Sequence, residues 1–352
     1  MSDELMSRKT VPARLRSQRL RTAVTALVAT LACLALAACG ADDDTGGQTV
    51  TGSSEQAAYP VTIRSRHGSA TIDEPPRRVV TLDNQATDDA LALGVVPVGI
   101  VKVTYVPGDM QTWTKAALEG RQAPQLIDVT DGIPYERVAA LRPDLILATN
   151  AFELENKAVY NRLSRIAPTV HFTRSSLSDS WQEVMQRIGQ ALGQRERARE
   201  LVAEAERDLA DVRERTPELV GKTVNFFNAD PSGLYTINAS EDYSIRFLEG
   251  LGLRLSPRVA KLKGEGGRAV VSAERYDVLD SDLLMGTSTS PKALTALRRD
   301  KLFNSLEAVR DGRYVALDIG PATSMAFPSV PSVRYATAEV VPALERAIKS
   351  GK

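Results

Sequence analysis

Few residues in this sequence of 352 residues have the type and spacing needed to bind a metal or to catalyse a reaction. The two histidines, His67 and His171, are far apart in the chain, and no cluster of His, Cys, Asp and Glu has the spacing of a transition-metal site. Residues 286–290, Gly-Thr-Ser-Thr-Ser, come close to the G-x-S-x-G pattern of a nucleophilic serine but lack the final glycine. Walker A and Gly-rich dinucleotide motifs do not occur. These patterns favour a binding protein, and an exported hydrolase with His171 as its base is the alternative from another class.

The N-terminal segment has the pattern of an export signal. Basic residues between Arg8 and Arg21 precede an apolar, small-residue stretch at residues 22–38, which is too short for a stable membrane span. Residues 36–40, Leu-Ala-Ala-Cys-Gly, resemble the lipobox of bacterial lipoproteins. In such proteins the cysteine, here Cys39, is lipidated and becomes the new N-terminus.

We therefore expect residues 1–38 to be a lipoprotein signal peptide. Lipid on Cys39 would then hold the protein on the extracytoplasmic face of the cell membrane. Residues 39–58 are acidic, aperiodic and rich in small polar residues, which predicts a flexible tether. An ordinary secretory signal followed by a fortuitous cysteine is the alternative. Because Cys33 leaves with the signal, the mature chain has no disulfide and depends on its hydrophobic core.

The mature chain is weakly acidic. The whole sequence has 44 basic and 44 acidic residues, of which six basic and two acidic residues lie in residues 1–38. The remainder has 38 basic and 42 acidic residues, a formal net charge of −4. We expect no nucleic-acid partner, because no basic field remains to attract one. About 290 residues follow the tether, which is enough for two domains.

Strands and helices alternate in two stretches of the chain, on either side of a highly charged helical segment. Residues 59–178 combine an N-terminal hairpin with apolar strands, short helices and a long loop at 102–124, which predicts a parallel, doubly wound sheet. Residues 217–352 contain a second such series. Between them, residues 179–216 begin with a capping box and carry two apolar stripes interrupted by Gly193. We expect an N-terminal lobe, a helical strut and a C-terminal lobe.

One segment occurs in both halves with identical spacing. Residues 136–147 run from Glu-Arg through a leucine to Asp-Leu-Ile-Leu, and residues 274–285 run from Glu-Arg through a leucine to Asp-Leu-Leu-Met. Each copy predicts a helix with an acidic residue in its first turn, followed by a buried strand. Such internal similarity predicts two related lobes.

The order of these features resembles a known family, the helical-hinge substrate-binding lipoproteins of ABC importers for ferric siderophores, haem and cobalamin. The resemblance covers residues 60–350 and implies an α/β fold of two Rossmann-like lobes, with parallel sheets, joined by one long helix. It also implies a ligand in the cleft between the lobes, an ABC transporter permease as partner, and no enzymatic activity. The motifs that carry it, besides the lipobox, are RVVTLD at 78–83, ERVAALRPDLILA at 136–148, ERYDVLDSDLLM at 274–285 and SLEAVRDGRYVALD at 305–318.

In that family one exposed glutamate on each lobe docks into basic pockets of the permease. The matching positions here are Glu136 and Glu274, each in the first turn of a predicted helix, where the helix dipole also favours an acidic residue. We expect these helix starts to lie away from the cleft, and we expect the protein to be a monomer.

The scarcity of histidine disfavours a bare transition metal and favours a ferric siderophore, because the siderophore itself supplies the ligands of the iron. No cofactor is expected. Such a chelate needs aromatic side chains for its apolar rim and Arg or Lys for its negative charge. Haem or cobalamin is the alternative, with Tyr105, Tyr235 or Tyr243 available as an axial ligand of haem. The candidate ligand-binding residues, chosen from loops and strand ends, are Asn84, Tyr105, Trp113, Arg174, Tyr235, Tyr243, Arg246, Ser288 and Phe327.

Overall fold

The computed structural model describes residues 59–351. It opens with an antiparallel hairpin of β1 (Val61–Ser65) and β2 (Gly68–Ile72), which turns at His67 as the sequence predicts. Alternate residues of the hairpin, including Val61 and Ile63, are buried in the core beside it. This alternation is the pattern expected for strands with one buried face.

The first sheet has five parallel strands, which are β3 (Val79–Thr81), β4 (Gly99–Val101), β5 (Gln125–Ile127), β6 (Leu145–Ala148) and β7 (Thr169–His171). Their order is β5-β4-β3-β6-β7. The helices between them are α1 (Asn84–Ala92), α2 (Thr112–Ala117), α3 (Tyr135–Ala140) and α4 (Lys157–Leu163). Helix α2 lies within the stretch that the sequence predicted as a loop, because six residues are too few to display a helical period. We call this sheet, with its hairpin and helices, the first lobe.

Two helices connect the first lobe to the rest of the chain, α5 (Trp181–Ala191) and α6 (Arg195–Arg215). The capping box predicted at the start of α5 is formed, and Gly193, at φ +70°, separates the two helices. The apolar residues of α6 divide between two cores. Leu201 packs in the core of the first lobe, whereas Val212 packs in the core that follows. The predicted long connecting helix is therefore confirmed.

The second sheet has six strands, which are β8 (Thr223–Asp230), β9 (Gly233–Ile237), β10 (Arg254–Leu255), β11 (Arg268–Val271), β12 (Leu283–Thr287) and β13 (Tyr314–Ala316). The order is β11-β9-β8-β12-β13, with β10 paired to β8. Strands β8, β12 and β13 are parallel, but β9 runs antiparallel to β8 and β11. The chain reverses there because only two residues link β8 to β9, too few for a parallel crossover.

Six further helices accompany the second sheet, and we call this part the second lobe. One follows β9, one follows β10, three follow β12 and one follows β13. They are α7 (Tyr243–Gly250), α8 (Pro257–Ala260), α9 (Pro291–Arg299), α10 (Lys301–Asn304), α11 (Glu307–Arg310) and α12 (Ile319–Ala326). Residues Ala273–Leu279, predicted as an ordinary helix, form a 3-10 helix with a break at Arg275.

The last helix, α13 (Val330–Ser350), also joins the lobes. Its first residue, Val330, is buried in the core of the first lobe, whereas Val333 and Val340 are buried in the second. Arg334 of α13 forms ion pairs with Glu204 (2.9 Å) and Asp208 (3.2 Å) of α6. Two long helices thus pass between the lobes. Within residues 59–351, no helix is both long enough and apolar enough to cross a membrane.

The two sheets are built to the same plan. Strands β5, β4, β3, β6 and β7 of the first occupy the positions of β11, β9, β8, β12 and β13 of the second. The repeated sequence segment therefore connects equivalent strands. Its first copy leads from the edge strand β5 to β6, and its second copy leads from the edge strand β11 to β12; β6 and β12 each lie beside the central strand of their sheet. This equivalence gives the internal repeat a structural counterpart, although β9 runs in the opposite direction from β4.

Candidate ligand-binding site

A pocket of about 440 Å³ lies at the edge of the first sheet where its strands end, which we call the carboxyl edge. The loops after β3, β4, β5 and β6 line it, and the second lobe contributes one side chain. Carboxyl edges of parallel sheets are the usual place for ligands in such folds. The lining residues are Leu82, Asp83, Asn84, Gln85, Val101, Lys102, Val103, Thr104, Tyr105, Val129, Thr130, Asn150, Ala151, Phe152, Glu153 and Phe327.

Asp83 holds two of these loops together. It caps α1, with one carboxylate oxygen accepting from the backbone N–H of Ala86 (2.8 Å) and the other from that of Asn150 (2.9 Å). The Asn150 amide in turn donates to Gln85 (3.1 Å). Burial raises the pKa of Asp83 to about 6. The loops after β3 and β6 are therefore fixed against each other before any ligand enters, which reduces the entropy lost on binding.

Three aromatic side chains line the pocket, Tyr105 and Phe152 from the first lobe and Phe327 from the end of α12. Phe152 is 73% exposed and Tyr105 is 40% exposed, which is unusual for rings of this size. Although part of the ring is exposed, the Tyr105 hydroxyl is partly buried and accepts a hydrogen bond from the Asn84 side-chain amide (3.3 Å). Burial raises the pKa of this hydroxyl, so the phenol is neutral. Exposed aromatic rings around a pocket suit a ligand with an apolar rim.

Charges on the first-lobe side of the pocket are mostly acidic. Lys102 follows β4, and its ammonium group lies between the carboxylates of Asp109 (3.6 Å) and Asp128 (3.7 Å). Glu153 is a further carboxylate of the lining. Its charge contributes to the raised pKa of Asp83, although burial is the larger cause.

Only Asn84, Tyr105 and Phe327 of the sequence-predicted candidates line this pocket. Trp113 lies elsewhere, because it is on α2 and not in an open loop. Its indole N–H donates to the buried carboxylate of Asp88 (2.7 Å), and its ring packs against Tyr335 of α13 (4.9 Å between centroids). The structure thus places Trp113 between the two lobes and corrects its expected position in the pocket.

Tyr243 and Arg246 line a different cavity, of about 480 Å³, between α5, α6, α7 and the start of α13. The Tyr243 hydroxyl donates to the backbone carbonyl of Asp179, and burial raises its pKa well above the ordinary value. Helix α7 follows β9, which runs antiparallel to β8, so α7 begins at the opposite edge of the second sheet from its carboxyl edge. The reversed strand explains why these two positions differ from the prediction.

The remaining candidates also lie outside the pocket. Arg174 is exposed and close to the carboxylates of Asp179 (3.6 Å) and Glu183 (3.8 Å). Tyr235 accepts a hydrogen bond from the side chain of Asn228 (2.8 Å) within the second sheet. A role for these residues in ligand binding remains a prediction that their positions do not support.

Ser288 donates to the carbonyl of Ser290 (2.8 Å) in the turn before α9. His171, the base considered for a hydrolase, is buried in the other sheet on β7, stacked on His67. A nucleophile and its base must lie within hydrogen-bonding reach of each other. The two residues therefore do not form a catalytic pair in this fold.

The sequence did not single out Gln85, Lys102, Asn150 or Phe152 as ligand-binding candidates. Each follows a strand of the first sheet within a few residues, the same signal that selected Asn84. Phe152 stands in a single 3-10 turn, Phe152–Glu155, immediately after β6. The signal was present, but the sequence does not specify which residues of a loop face the pocket.

Both proposed docking glutamates are exposed and neither lines the pocket. Glu136 begins α3 after β5, and Glu274 follows β11; these are equivalent edge strands of the two sheets. Both helices begin at carboxyl edges, as helices after parallel strands must. The expectation that they begin away from the cleft remains a prediction, and neither glutamate is among the lining residues of the pocket. Glu136 also pairs with Arg162 (3.4 Å).

Comparison with known proteins agrees with this architecture. A periplasmic solute-binding protein from Mycobacterium smegmatis is 30% identical, with a TM-score of 0.71, over 82% of this chain and 98% of its own. PiaA from Streptococcus pneumoniae, solved in complex with ferrichrome, is 26% identical, with a TM-score of 0.69, over 83% and 99%. YfiY of Bacillus subtilis, a probable siderophore-binding lipoprotein, is 24% identical over 82% of this chain and 88% of its own. The periplasmic binding protein family model matches residues 79–319, and this chain belongs to that family.

Proposed function

We propose that this protein captures a ferric siderophore in the aromatic pocket and delivers it to the permease of an ABC importer. The observation that carries the proposal is the grouping of Tyr105, Phe152 and Phe327 around one pocket at the lobe boundary. The ferrichrome complex of PiaA and the name of YfiY support the same class of ligand. The named relatives are binding proteins, which supports a binding role for this chain.

An iron chelate suits the pocket better than a bare metal ion. Among residues 59–351, no group of three or more His, Cys, Asp and Glu side chains could hold a metal ion. A siderophore already surrounds its iron with oxygen, so the protein has to recognise only the outside of the complex. Aromatic and amide side chains such as Tyr105 and Asn84 can do so by packing and hydrogen bonding.

Haem is the second candidate, because Tyr105 presents a phenol to the pocket. Two observations weigh against it. The Tyr105 hydroxyl is engaged with Asn84, and its raised pKa opposes the ionised form that binds iron best. Tyr235 and Tyr243, the other axial candidates, lie outside the pocket.

Export and anchoring depend on residues outside the described part of the chain. We propose that residues 1–38 are removed, that Cys39 carries lipid, and that residues 39–58 form a tether. The tether holds an N-terminal lobe (59–178) and a C-terminal lobe (217–352), which are connected by the helical segment 179–216. The name of YfiY as a lipoprotein supports this arrangement. Labelling of cells with a fatty-acid analogue should mark the wild-type protein and leave Cys39→Ser unmarked; equal labelling of both would refute the anchor.

The ligand proposal is tested by isothermal titration of the full-length chain in detergent with ferrichrome, haem and cobalamin. Ferrichrome should bind, and Tyr105→Ala should lower its affinity about tenfold, since loss of a packed aromatic ring costs about 1–2 kcal/mol. Val270→Ala is a matched control, because Val270 is 83% exposed on β11 and outside the pocket. Saturable binding of haem with no response to any ferric siderophore would replace the proposal by its alternative.

A further inference from the structure

The pocket has one cation in its lining, and that cation is already neutralised. Among the pocket-lining residues of the described range 59–351, Lys102 is the sole Lys or Arg, and two carboxylates, Asp109 and Asp128, lie within 3.7 Å of its ammonium group. Hydrogen bonds from Thr130 lower the pKa of Asp128, so that carboxylate is ionised. The three groups together have a net negative charge.

Glu153, Asp230 and Asp318 are acidic residues that follow or end strands at the carboxyl edges, and Arg174, which follows β7, lies beside the carboxylates of Asp179 and Glu183. Glu153 lines the pocket on the first-lobe side. In the second sheet, Asp230 ends β8 and Asp318 follows β13 as the cap of α12. Hydrogen bonds within the turn at Ser232 lower the pKa of Asp230, so it too is ionised. Asp318 and Phe327 flank the two ends of α12, whose eight residues span about 12 Å.

The arginines that the sequence offered for an anionic ligand are elsewhere. Arg174 lies beside Asp179 and Glu183, and Arg246 lines the cavity between the helices that join the lobes. Within the described lining of the pocket, no cation is therefore available to compensate an anion. Placing like charges together in a desolvated site costs several kcal/mol.

We propose that the pocket selects ferric complexes without net negative charge, namely tris-hydroxamates that are neutral or cationic, and rejects tris-catecholate and citrate complexes. This inference rests on the proposed function. Each hydroxamate loses one proton on binding, so three of them neutralise ferric iron, whereas each catecholate loses two and leaves the complex an anion. The aromatic rings serve the apolar outside of the chelate, and the acidic edge sets its charge.

The test is titration of the full-length chain with four ferric complexes, namely ferrichrome, ferrioxamine B, ferric enterobactin and ferric dicitrate. We expect the two hydroxamates to bind at least about tenfold more tightly than the two anions, a difference of about 1.4 kcal/mol. Higher salt should weaken binding of the cationic ferrioxamine complex and leave that of neutral ferrichrome unchanged. Enterobactin or dicitrate binding as tightly as ferrichrome would overturn the inference and leave the proposed function standing. Failure of every ferric complex would overturn the proposed function itself.

A charge variant links the selectivity to this pocket. Glu153→Gln should lower the affinity for ferrioxamine by a larger factor than the affinity for ferrichrome, because it removes one negative charge from the lining. Glu119→Gln is the matched control, since Glu119 is exposed and outside the pocket. If Glu153→Gln and Glu119→Gln bind both complexes alike, the lining does not set the charge preference and the inference is wrong.

Discussion

Asp88 of the first lobe accepts a hydrogen bond from the hydroxyl of Ser329, 2.9 Å away and 241 residues later in the chain. Ser329 caps α13, so this bond fixes the start of the helix that returns between the lobes. The same carboxylate accepts from Trp113 (2.7 Å) and Thr114 (2.6 Å), and the adjacent Asp89 accepts from the backbone of Val330 (3.2 Å). Two buried carboxylates of α1 therefore connect the lobes.

Replacement of Asp88 by alanine should destabilise the protein by about 2–4 kcal/mol, because three buried donors would lose their acceptor. Urea unfolding at neutral pH measures the change. Asp73→Ala is the control, since Asp73 is exposed just after β2 and is an aspartate of the same lobe. Equal unfolding midpoints for the two variants would show that the interlobe bonds do not stabilise the fold.

Gly189→Ala should also destabilise the protein, by about 1–3 kcal/mol, through overpacking. A Cβ at Gly189 would lie 2.3 Å from the Cβ of Ala198, where α5 and α6 cross, and 3.1 Å from the carbonyl of Gln194. Gly250, at the end of α7, has no atom within 4 Å of an added Cβ. Gly250→Ala should thus stabilise the helix slightly, by up to about 1 kcal/mol. Thermal unfolding that moves both variants in the same direction would contradict the close approach of α5 and α6.

His171 should make the protein less stable in acid. Burial lowers its pKa to about 4, from an ordinary value of 6.5, with a smaller effect from His67. Its Nε2 accepts from the backbone N–H of His67 (3.3 Å), which requires the neutral ring. Between pH 6.5 and 4 the His171 ring is protonated in the unfolded chain but stays neutral in the native protein. The free energy of unfolding therefore falls as the pH falls.

The variant His171→Gln isolates this effect, because glutamine keeps an acceptor but does not titrate. Asp83 and Asp88, with pKa values raised to about 6, favour the native state as the pH falls and act in the opposite direction in both proteins. The wild-type protein should lose more unfolding free energy than His171→Gln between pH 7 and pH 4. Its stability advantage over the variant at pH 7 should therefore decrease as the pH falls. Parallel denaturation profiles over this range would show that His171 does not titrate as its burial indicates.

Charge reversal at the proposed docking residues should separate ligand binding from uptake. Glu136→Lys and Glu274→Lys should leave affinity for ferrichrome unchanged, because neither residue lines the pocket. Uptake by cells should fall with each variant and fall further with both, since like charges would then face each other at the permease. Glu119→Lys, a reversal at an exposed site after α2, is the control. Normal uptake by the double variant at normal abundance would leave these residues without a docking role.

Local patterns in the sequence were enough to predict much of the fold. The capping box of Ser180 and Glu183, the apolar stripes of α6 and the buried run of β3 each depend on neighbouring residues, whose periodicity reflects burial directly. The repeated segment also marked equivalent strands of the two sheets. The fold class, the two-lobe plan and the connecting helix can therefore be predicted from the sequence alone.

The tertiary structure alone decided which side chains meet. Tyr105 and Trp113 follow the same strand, β4, yet one lines the pocket and the other is buried against Asp88. Phe327 joins the pocket from more than two hundred residues after Tyr105, whereas Tyr243 lines a different cavity. Such outcomes depend on how α12 and α13 return between the lobes, a matter of packing between distant segments. Residue type and local spacing determine which face of a single helix or strand is buried. They do not specify how segments that are distant in the sequence pack against each other.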